Sequence, residues 1–424
     1  MMQQDLIPHL FRTEYSKIVA VLSRLLGLQH LDVAEDIAAD TFLAAMEIWP
    51  YKGVPTNPEA WVYVVAKNKV RNHLARSAIF MKKVAGGLAR DASQIEYPEI
   101  DLSEQNISDS QLQMLFAVCH PALSVEAQLG LALKVLCGFG IEEIANALLS
   151  NKDTIQKRLY RAKKALREVG LKMELPNASA INERLDSVLT TLYLLFNEGY
   201  YSESDDNVLR EDLCREAIRL TGLLIENEAT RQPEVLALMA LMHFHSSRFA
   251  ARKNERGEMI LYDDQDEQLW DREMITKGVY YLHAASQGER LSKYHLEASI
   301  AYWHTQKADT KEKWDNILQL FNKLLRLQYS PAAALNRTYA LYKVHGRAKA
   351  IEEAEKMSLS DNHYYHILLG SLYSGVDNSC ALTHLDVAYE LAKSAAEKAM
   401  ILKKCAKLRK WMLRHGFYYM YNKP

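Results

Sequence analysis

Apolar residues recur at every third or fourth position over most of the chain, and alternating runs of β-branched residues are almost absent. That period predicts an all-α protein. Residues 6–46 carry the pattern of two or more helices, and a further helix is predicted over about 59–78. Between them WPYKGVPTNP, residues 49–58, holds three prolines and a glycine and predicts a loop. The acidic, proline-containing stretch 91–109 reads as a linker. Helices resume at Leu112, and a second joint is expected at 175–180.

IEEIANALLSNKDTIQKRLYRAKKAL, residues 141–166, contains two helical patterns joined by a tight turn. Ile141, Ile144, Ala145 and Leu148 line one face of the first. Ser150 is placed to N-cap the second, with Asp153 three residues later completing a capping-box pattern. Ile155, Leu159, Ala162 and Leu166 are spaced i, i+4, i+7, i+11 and must face a core. At about 100° per residue, Lys157, Arg161 and Lys164 then point away from that core, with Thr154 and Arg158 on the flanks. No acid lies between Thr154 and Arg167. A helix-turn-helix presents donors to a major groove and to phosphates in this way; a solvated charged face is the plainer reading of the same residues.

From Ile181 the chain is again helical, and near its end a repeat emerges. Leu335 and Leu369, Tyr339 and Tyr373, Ile351 and Leu385, and Ala354 and Ala388 are each 34 residues apart, the tetratricopeptide period. Small and aromatic residues recur where paired helices must pack closely, as in ALNRTYALYKVHGRAKAIEEA. A helical stack is expected there, tetratricopeptide-like or a more generic array.

Charge sharpens this picture. The 424 residues exceed one ordinary core and imply two or three domains. A formal net charge of −1 argues against a nucleic-acid protein, but it hides segregation. Residues 61–90 carry seven Lys/Arg and no acid, whereas residues 91–110 carry six acids and no Lys/Arg, so local charge is the signal. Cys119, Cys137, Cys214, Cys380 and Cys405 are scattered, without a CxxC pair, and suggest neither disulfides nor zinc. The first residues hold no apolar leader, and no stretch approaches the ~18 apolar residues of a membrane span. A soluble, cytoplasmic protein without a membrane partner is expected.

Little points to catalysis. GxSxG, Walker and HExxH motifs are absent, and Cys119 and His120, adjacent on a helix, point about 100° apart. NEGYYSESDD, residues 197–206, gathers four carboxylates, but a helix-terminating loop explains it better than a metal site. His243, His245, His283 and His295 fall on apolar helices and read as core or surface groups. No enzyme activity, metal or cofactor is expected.

LDVAEDIAADTFLAAMEIWP followed by NPEAWVYVVAKNKVRNHLARS resembles the second conserved region of extracytoplasmic-function sigma factors, and EEIANALLSNKDTIQKRLYRAKKALR resembles their fourth. LFAVCHPAL, YLLFNEGY and DDQDEQLWDREMI resemble a subgroup with a long tetratricopeptide-like C-terminal extension. The resemblance implies sigma region 2 over 1–90, an acidic linker over 91–110, a region 4 helix-turn-helix over 111–173 and a regulatory extension over 180–424. It further implies that Glu35, Asp36 and Asp40 dock on core RNA polymerase; Phe42 and Leu43 of the same helix read as core. Lys67, Asn68, Arg71, Asn72 and Arg76, with Tyr51, Lys52 and Asn57 in the preceding loop, would open the minus-ten element and hold an unstacked base. Trp61 is expected in the core. Lys152, Thr154, Gln156, Lys157, Arg158, Arg161 and Lys164 would read the minus-thirty-five element as duplex.

Many family members have Asp where Asn72 stands and paired arginines where Ala75 and Arg76 stand, which bears on promoter preference. The extension would control activity, in concert with a regulatory protein bound to the stack. The acid-free segment after Glu397, with Lys403, Lys404, Lys407, Arg409, Lys410 and Arg414, is either a contact for an acidic surface or a solvated basic helix. Two other readings compete: a helix-turn-helix regulator with a helical-repeat scaffold that needs no polymerase, and an enzyme using the carboxylates around Glu198. The recognition-helix reading predicts that Arg161→Ala weakens promoter binding; unchanged affinity in filter binding across a salt series would remove that residue from the contact set.

Overall fold

The structure is a computed structural model that describes residues 3–84, 99–148, 150–200, 210–252, 260, 262–288, 290–392 and 395–421. Among these residues there is no strand, and no helix is long and apolar enough to cross a membrane. The chain divides into two compact units, Met1–Glu198 with Arg215–Arg231, and Gly199–Cys214 with Gln232–Pro424.

The first unit begins with α1 (Gln3–Leu26), α2 (Leu31–Lys52) and α3 (Pro58–Val84). Gly27, at φ 86°, makes the tight reversal between α1 and α2, and Ile18, Val19, Leu22, Ala34 and Ala38 are fully buried around it. The expected loop at 49–58 begins later than the prolines suggested. Helix α2 continues through Pro50 to Lys52, because Trp49 is buried against Trp61, ring centroids 5.3 Å apart, and Gly53 at φ 81° supplies the stop. Trp61 therefore packs, as anticipated. Leu43 does not: it is 53% exposed, while Phe42 one residue earlier is buried.

Helices α4 (Glu104–Val118), α5 (Val125–Leu131), α6 (Ile141–Ala147) and α7 (Lys152–Val169) follow. Residues 91–98 of the expected linker lie outside the described residues. Its last part is already helix, since the Ser103 hydroxyl caps α4 at Asn106 N–H and Ile107 is buried.

Two further helices, α8 (Ala178–Tyr200) and α9 (Glu211–Glu226), belong largely to this unit. Buried Gln128 of α5 accepts hydrogen bonds from the Ser187 and Thr191 hydroxyls of α8 at 3.0 and 2.9 Å, and its amide donates to the His120 and Leu123 carbonyls. On α9, Arg219 donates at 2.7 Å to the Leu136 carbonyl, which sits at the end of a wide helical turn, Ala132–Leu136. Buried polar groups are thereby satisfied across elements, and the start of the extension is built into the unit that precedes it.

The second unit stacks α10 (Pro233–Ser246), α11 (Arg272–Ala285), α12 (Lys293–Trp303), α13 (Lys311–Leu327), α14 (Pro331–His345), α15 (Arg347–Glu355), α16 (His363–Tyr373), α17 (Asn378–Leu391) and α18 (Ala395–Tyr421). Successive helices from α12 to α18 pack on one another. The positions 34 residues apart fall in α14 and α16 and in α15 and α17, and Leu335, Leu369, Leu385, Ala354 and Ala388 are all buried. Helix α10 is apolar around its whole circumference and nearly all buried.

Close helix packing depends on Gly278, where a Cβ would lie 2.6 Å from the Phe244 ring. Gly278→Ala is expected to lower stability by about 1–3 kcal/mol through overpacking, seen as a fall in Tm. Gly222→Ala, whose added Cβ meets nothing within 4 Å, should instead raise it by up to ~1 kcal/mol.

Candidate nucleic-acid interface

Helix α7 buries Ile155, Leu159, Ala162 and Leu166, at 0, 6, 3 and 1% exposure. Its cap differs from the expected one. Asn151, not Ser150, is the N-cap: its side chain accepts from Thr154 N–H at 2.8 Å, whereas Ser150 N–H is drawn back to the Ala145 carbonyl to close α6. Gly140 and Glu143 box the start of α6, and Glu143 also meets Arg12 at 2.7 Å.

Lys152, Thr154, Gln156, Lys157, Arg161 and Lys164 are exposed, and Arg158 is half-buried. Lys152 pairs with Glu142 across the turn and Lys164 lies 3.7 Å from Glu168. Both are solvated ion pairs of little energetic weight, so they do not withdraw this face from a polyanion.

On α3, Val62, Ala66 and Val70 are fully buried, and Asn68, Arg71, Asn72 and Arg76 are exposed. Lys67 is half-buried. Tyr51 is 90% exposed and Lys52 is exposed beside it at the end of α2. Asn57 has a structural task as well, accepting from Ala60 N–H at 3.0 Å at the start of α3.

The three acidic positions on α2 separate. Asp36 and Asp40 are exposed, Asp40 lying 3.9 Å from Lys69. Glu35 is only 7% exposed and is paired with Lys163 of α7, so its carboxylate is already engaged. Lys163 also reaches Asp32 at 2.8 Å, and Arg167 pairs with Asp32. Burial pulls the Lys163 pKa down, but Glu35 and Asp32 outweigh that and hold it above its ordinary value. Burial likewise opposes ionisation of Asp32, yet Lys163 and Arg167 draw its pKa below the usual carboxylate range.

Asp32, Lys163 and Arg167 were not candidates from sequence. Lys163 and Lys164 look alike in a basic helix, and their rotation, 100° apart, puts one on an acidic neighbour and the other in water.

Elsewhere, the Cys119 thiol is buried and its pKa is pushed up to about 12 by that burial, while His120 Nδ1 accepts from Ala122 N–H. His243 is buried and His283 exposed, and His295 is held by Ser292 and the Ala285 carbonyl. Residues 201–209 of the acidic NEGYYSESDD segment lie outside the described residues. Lys403, Lys407, Arg409 and Lys410 are exposed on α18 and Lys404 is half-buried, while the Arg414 side chain lies outside the described ones.

The sigma-70 region 2 family matches residues 10–78, and a family of unknown function, DUF6596, matches residues 184–286. A protein of Rhizobium meliloti (strain 1021) described as uncharacterized is 35% identical over 382 residues, covering 88% of this chain and 89% of that protein. No solved structure matches the chain. The chain belongs to the extracytoplasmic-function sigma factors that carry a long C-terminal extension. Its role as a sigma factor lies in promoter recognition, with core RNA polymerase and promoter DNA as partners.

The observed cap makes a discriminating prediction. Asn151→Ala should cost about 0.5–2 kcal/mol of stability in urea unfolding, whereas Ser150→Ala should change it little.

Proposed function

We propose that the chain docks on core RNA polymerase through α2, opens the minus-ten element with α3 and the turn before it, and reads the minus-thirty-five element with α7. One observation carries this reading: α2, α3 and α7 each bury an apolar face in the first unit and keep a differently charged face in water. On α2 the solvated row is Asp36, Asp40, Leu43 and Glu47, joined by Met46, with Leu43 and Met46 more than half exposed. Carboxylates alternating with apolar residues suit a basic amphipathic partner helix. The rows on α3 and α7 are polar and cationic instead, as phosphate and base contacts require.

Promoter geometry adds a condition. The minus-ten and minus-thirty-five elements are about 25 base pairs apart, roughly 85 Å of duplex at 3.4 Å per base pair. With Lys163 and Arg167 resting on Asp32 and Glu35, α7 lies against α2, and α3 and α7 cannot reach their separate elements at once. Initiation therefore requires these ion pairs to open, and polymerase binding supplies the free energy. The C-terminal extension regulates that step in this reading, supported by the hydrogen bonds through which α8 and α9 hold α5 and the turn after it.

Run-off transcription with purified core polymerase and the full chain tests the proposal. Asp36→Arg/Asp40→Arg should reduce the transcript at least about tenfold, the equivalent of ~1.4 kcal/mol. Lys163→Ala/Arg167→Ala should raise it severalfold at limiting polymerase. No transcript from any form, with duplex binding that needs no polymerase, would instead establish a simple helix-turn-helix regulator.

A further inference from the structure

The second unit gathers cations around one aromatic ring, and among the described residues no carboxylate pairs with them directly. Tyr262 lies just before α11, and three charged groups from separate segments approach its ring. The Arg248 guanidinium carbon is 5.5 Å from the centroid, Lys307 Nζ 5.1 Å and Lys313 Nζ 5.2 Å. Arg248, after α10, is 8% exposed, and Lys313, in the first turn of α13, is 2% exposed.

What these cations touch is neutral. Arg248 donates to the Tyr200 hydroxyl at 3.1 Å, and its Nε has no acceptor. Lys313 donates to the Gln306 carbonyl at 2.6 Å and the Tyr262 hydroxyl at 3.1 Å. Lys307 donates to the carbonyls of Tyr262, Asp263 and Gln265 at 2.8–3.0 Å. Among the described residues none of the three forms an ion pair with a carboxylate; of the acids near Tyr262, which also include Asp263 and Glu267, Asp309 is engaged by Lys343 at 2.6 Å and by the Trp314 indole. The mismatch registers on the groups themselves. Burial lowers the Lys313 pKa and the neighbouring cations add to that, against Asp309; burial, then Arg248 and Lys313, brings His304 to about 3, so its imidazole is neutral.

Carbonyls and a π face attenuate a buried positive charge but do not neutralise it. The same cluster also leaves donors idle. Trp270, 2% exposed, has its ring tilted against Tyr262 with centroids 6.1 Å apart, and His304 sits edge-on to Tyr262 at 5.3 Å. The Trp270 Nε1 and Arg248 Nε donors are buried without partners, as are His304 Nδ1, a donor in one tautomer of the neutral ring, and the acceptor Gln265 Oε1. An occupant that satisfied this set would carry several acceptor oxygens, more than one negative charge and one protonated oxygen.

We propose that the residues around Tyr262, chiefly Arg248, Lys313, His304 and Trp270, form a binding site for a small phosphate-bearing molecule, either inorganic phosphate or a phosphate monoester. Phosphate carries close to two negative charges at neutral pH and at least three acceptor oxygens, whereas a single carboxylate carries one charge and would leave cations unmet. Arg248 supplies the planar fork suited to an oxyanion, and Lys313 a point charge.

The test is thermal unfolding and calorimetric titration of the full chain with inorganic phosphate and with glycerol phosphate, against chloride and succinate at equal ionic strength. The expected result is a saturable rise in Tm with a phosphate species alone. Arg248→Met and Lys313→Met, made separately so that one failure to fold leaves the other readable, should each weaken binding at least tenfold. In phosphate-free buffer both should unfold no earlier than the parent, because each removes an unbalanced charge. A response to glycerol phosphate without one to inorganic phosphate identifies the ester as the ligand. Absence of any saturable phosphate effect, an undiminished phosphate effect in both variants, or a response to succinate alone would overturn the assignment.

Discussion

Burying a cation costs roughly several kcal/mol unless an anion meets it, and this constraint shapes both units. In the first, Lys163 is 16% exposed at its side chain and is met by Asp32 and Glu35. That match, with Arg167 beside it, holds α7 against α2, in addition to the packing of α1 on α4 that also joins the two expected DNA-contacting regions. In the second unit the same cost falls on Arg248 and Lys313, and the described residues provide no carboxylate partner for either.

A charge lock differs in kind from an apolar interface. Apolar contact grows with area and resists opening gradually, whereas an ion pair exchanges one partner for another with little net change once water or a second charged surface is present. Helix α2 carries both sorts of acid: Asp32 and Glu35 engaged by α7, Asp36 and Asp40 in water. A partner that approaches the solvated row is adjacent to the locked one, which couples polymerase docking to release of α7 in the proposed cycle.

The extension is not simply appended. Gln128 satisfies its amide on the α5 turn and receives two hydroxyls from α8, and Arg219 of α9 occupies the Leu136 carbonyl left open by the wide turn. Removing α8 and α9 would break these hydrogen bonds and bare the face of α5 that they cover. The first unit thus extends past the joint at 175–180 that the sequence suggests.

Periodicity alone determined the all-α class, the buried faces of α3 and α7, and the exposed row containing Lys157, Arg161 and Lys164, because each of these follows from rotation along a single helix. Segregated charge marked the basic α3 and the acids near it for the same local reason. Local patterns misled where a neighbour outweighed them: burial of Trp49 carried α2 past Pro50, Asn151 took the cap from Ser150, and Leu43 stayed in water beside a buried Phe42. Tertiary structure alone decided that Lys163 is paired while Lys164 is solvated, that Glu35 is engaged while Asp36 is open, and that Arg248, Tyr262 and Lys313 share one place. The amino-acid order sets which way each side chain points from its own helix; only the packing of distant helices sets what it meets there.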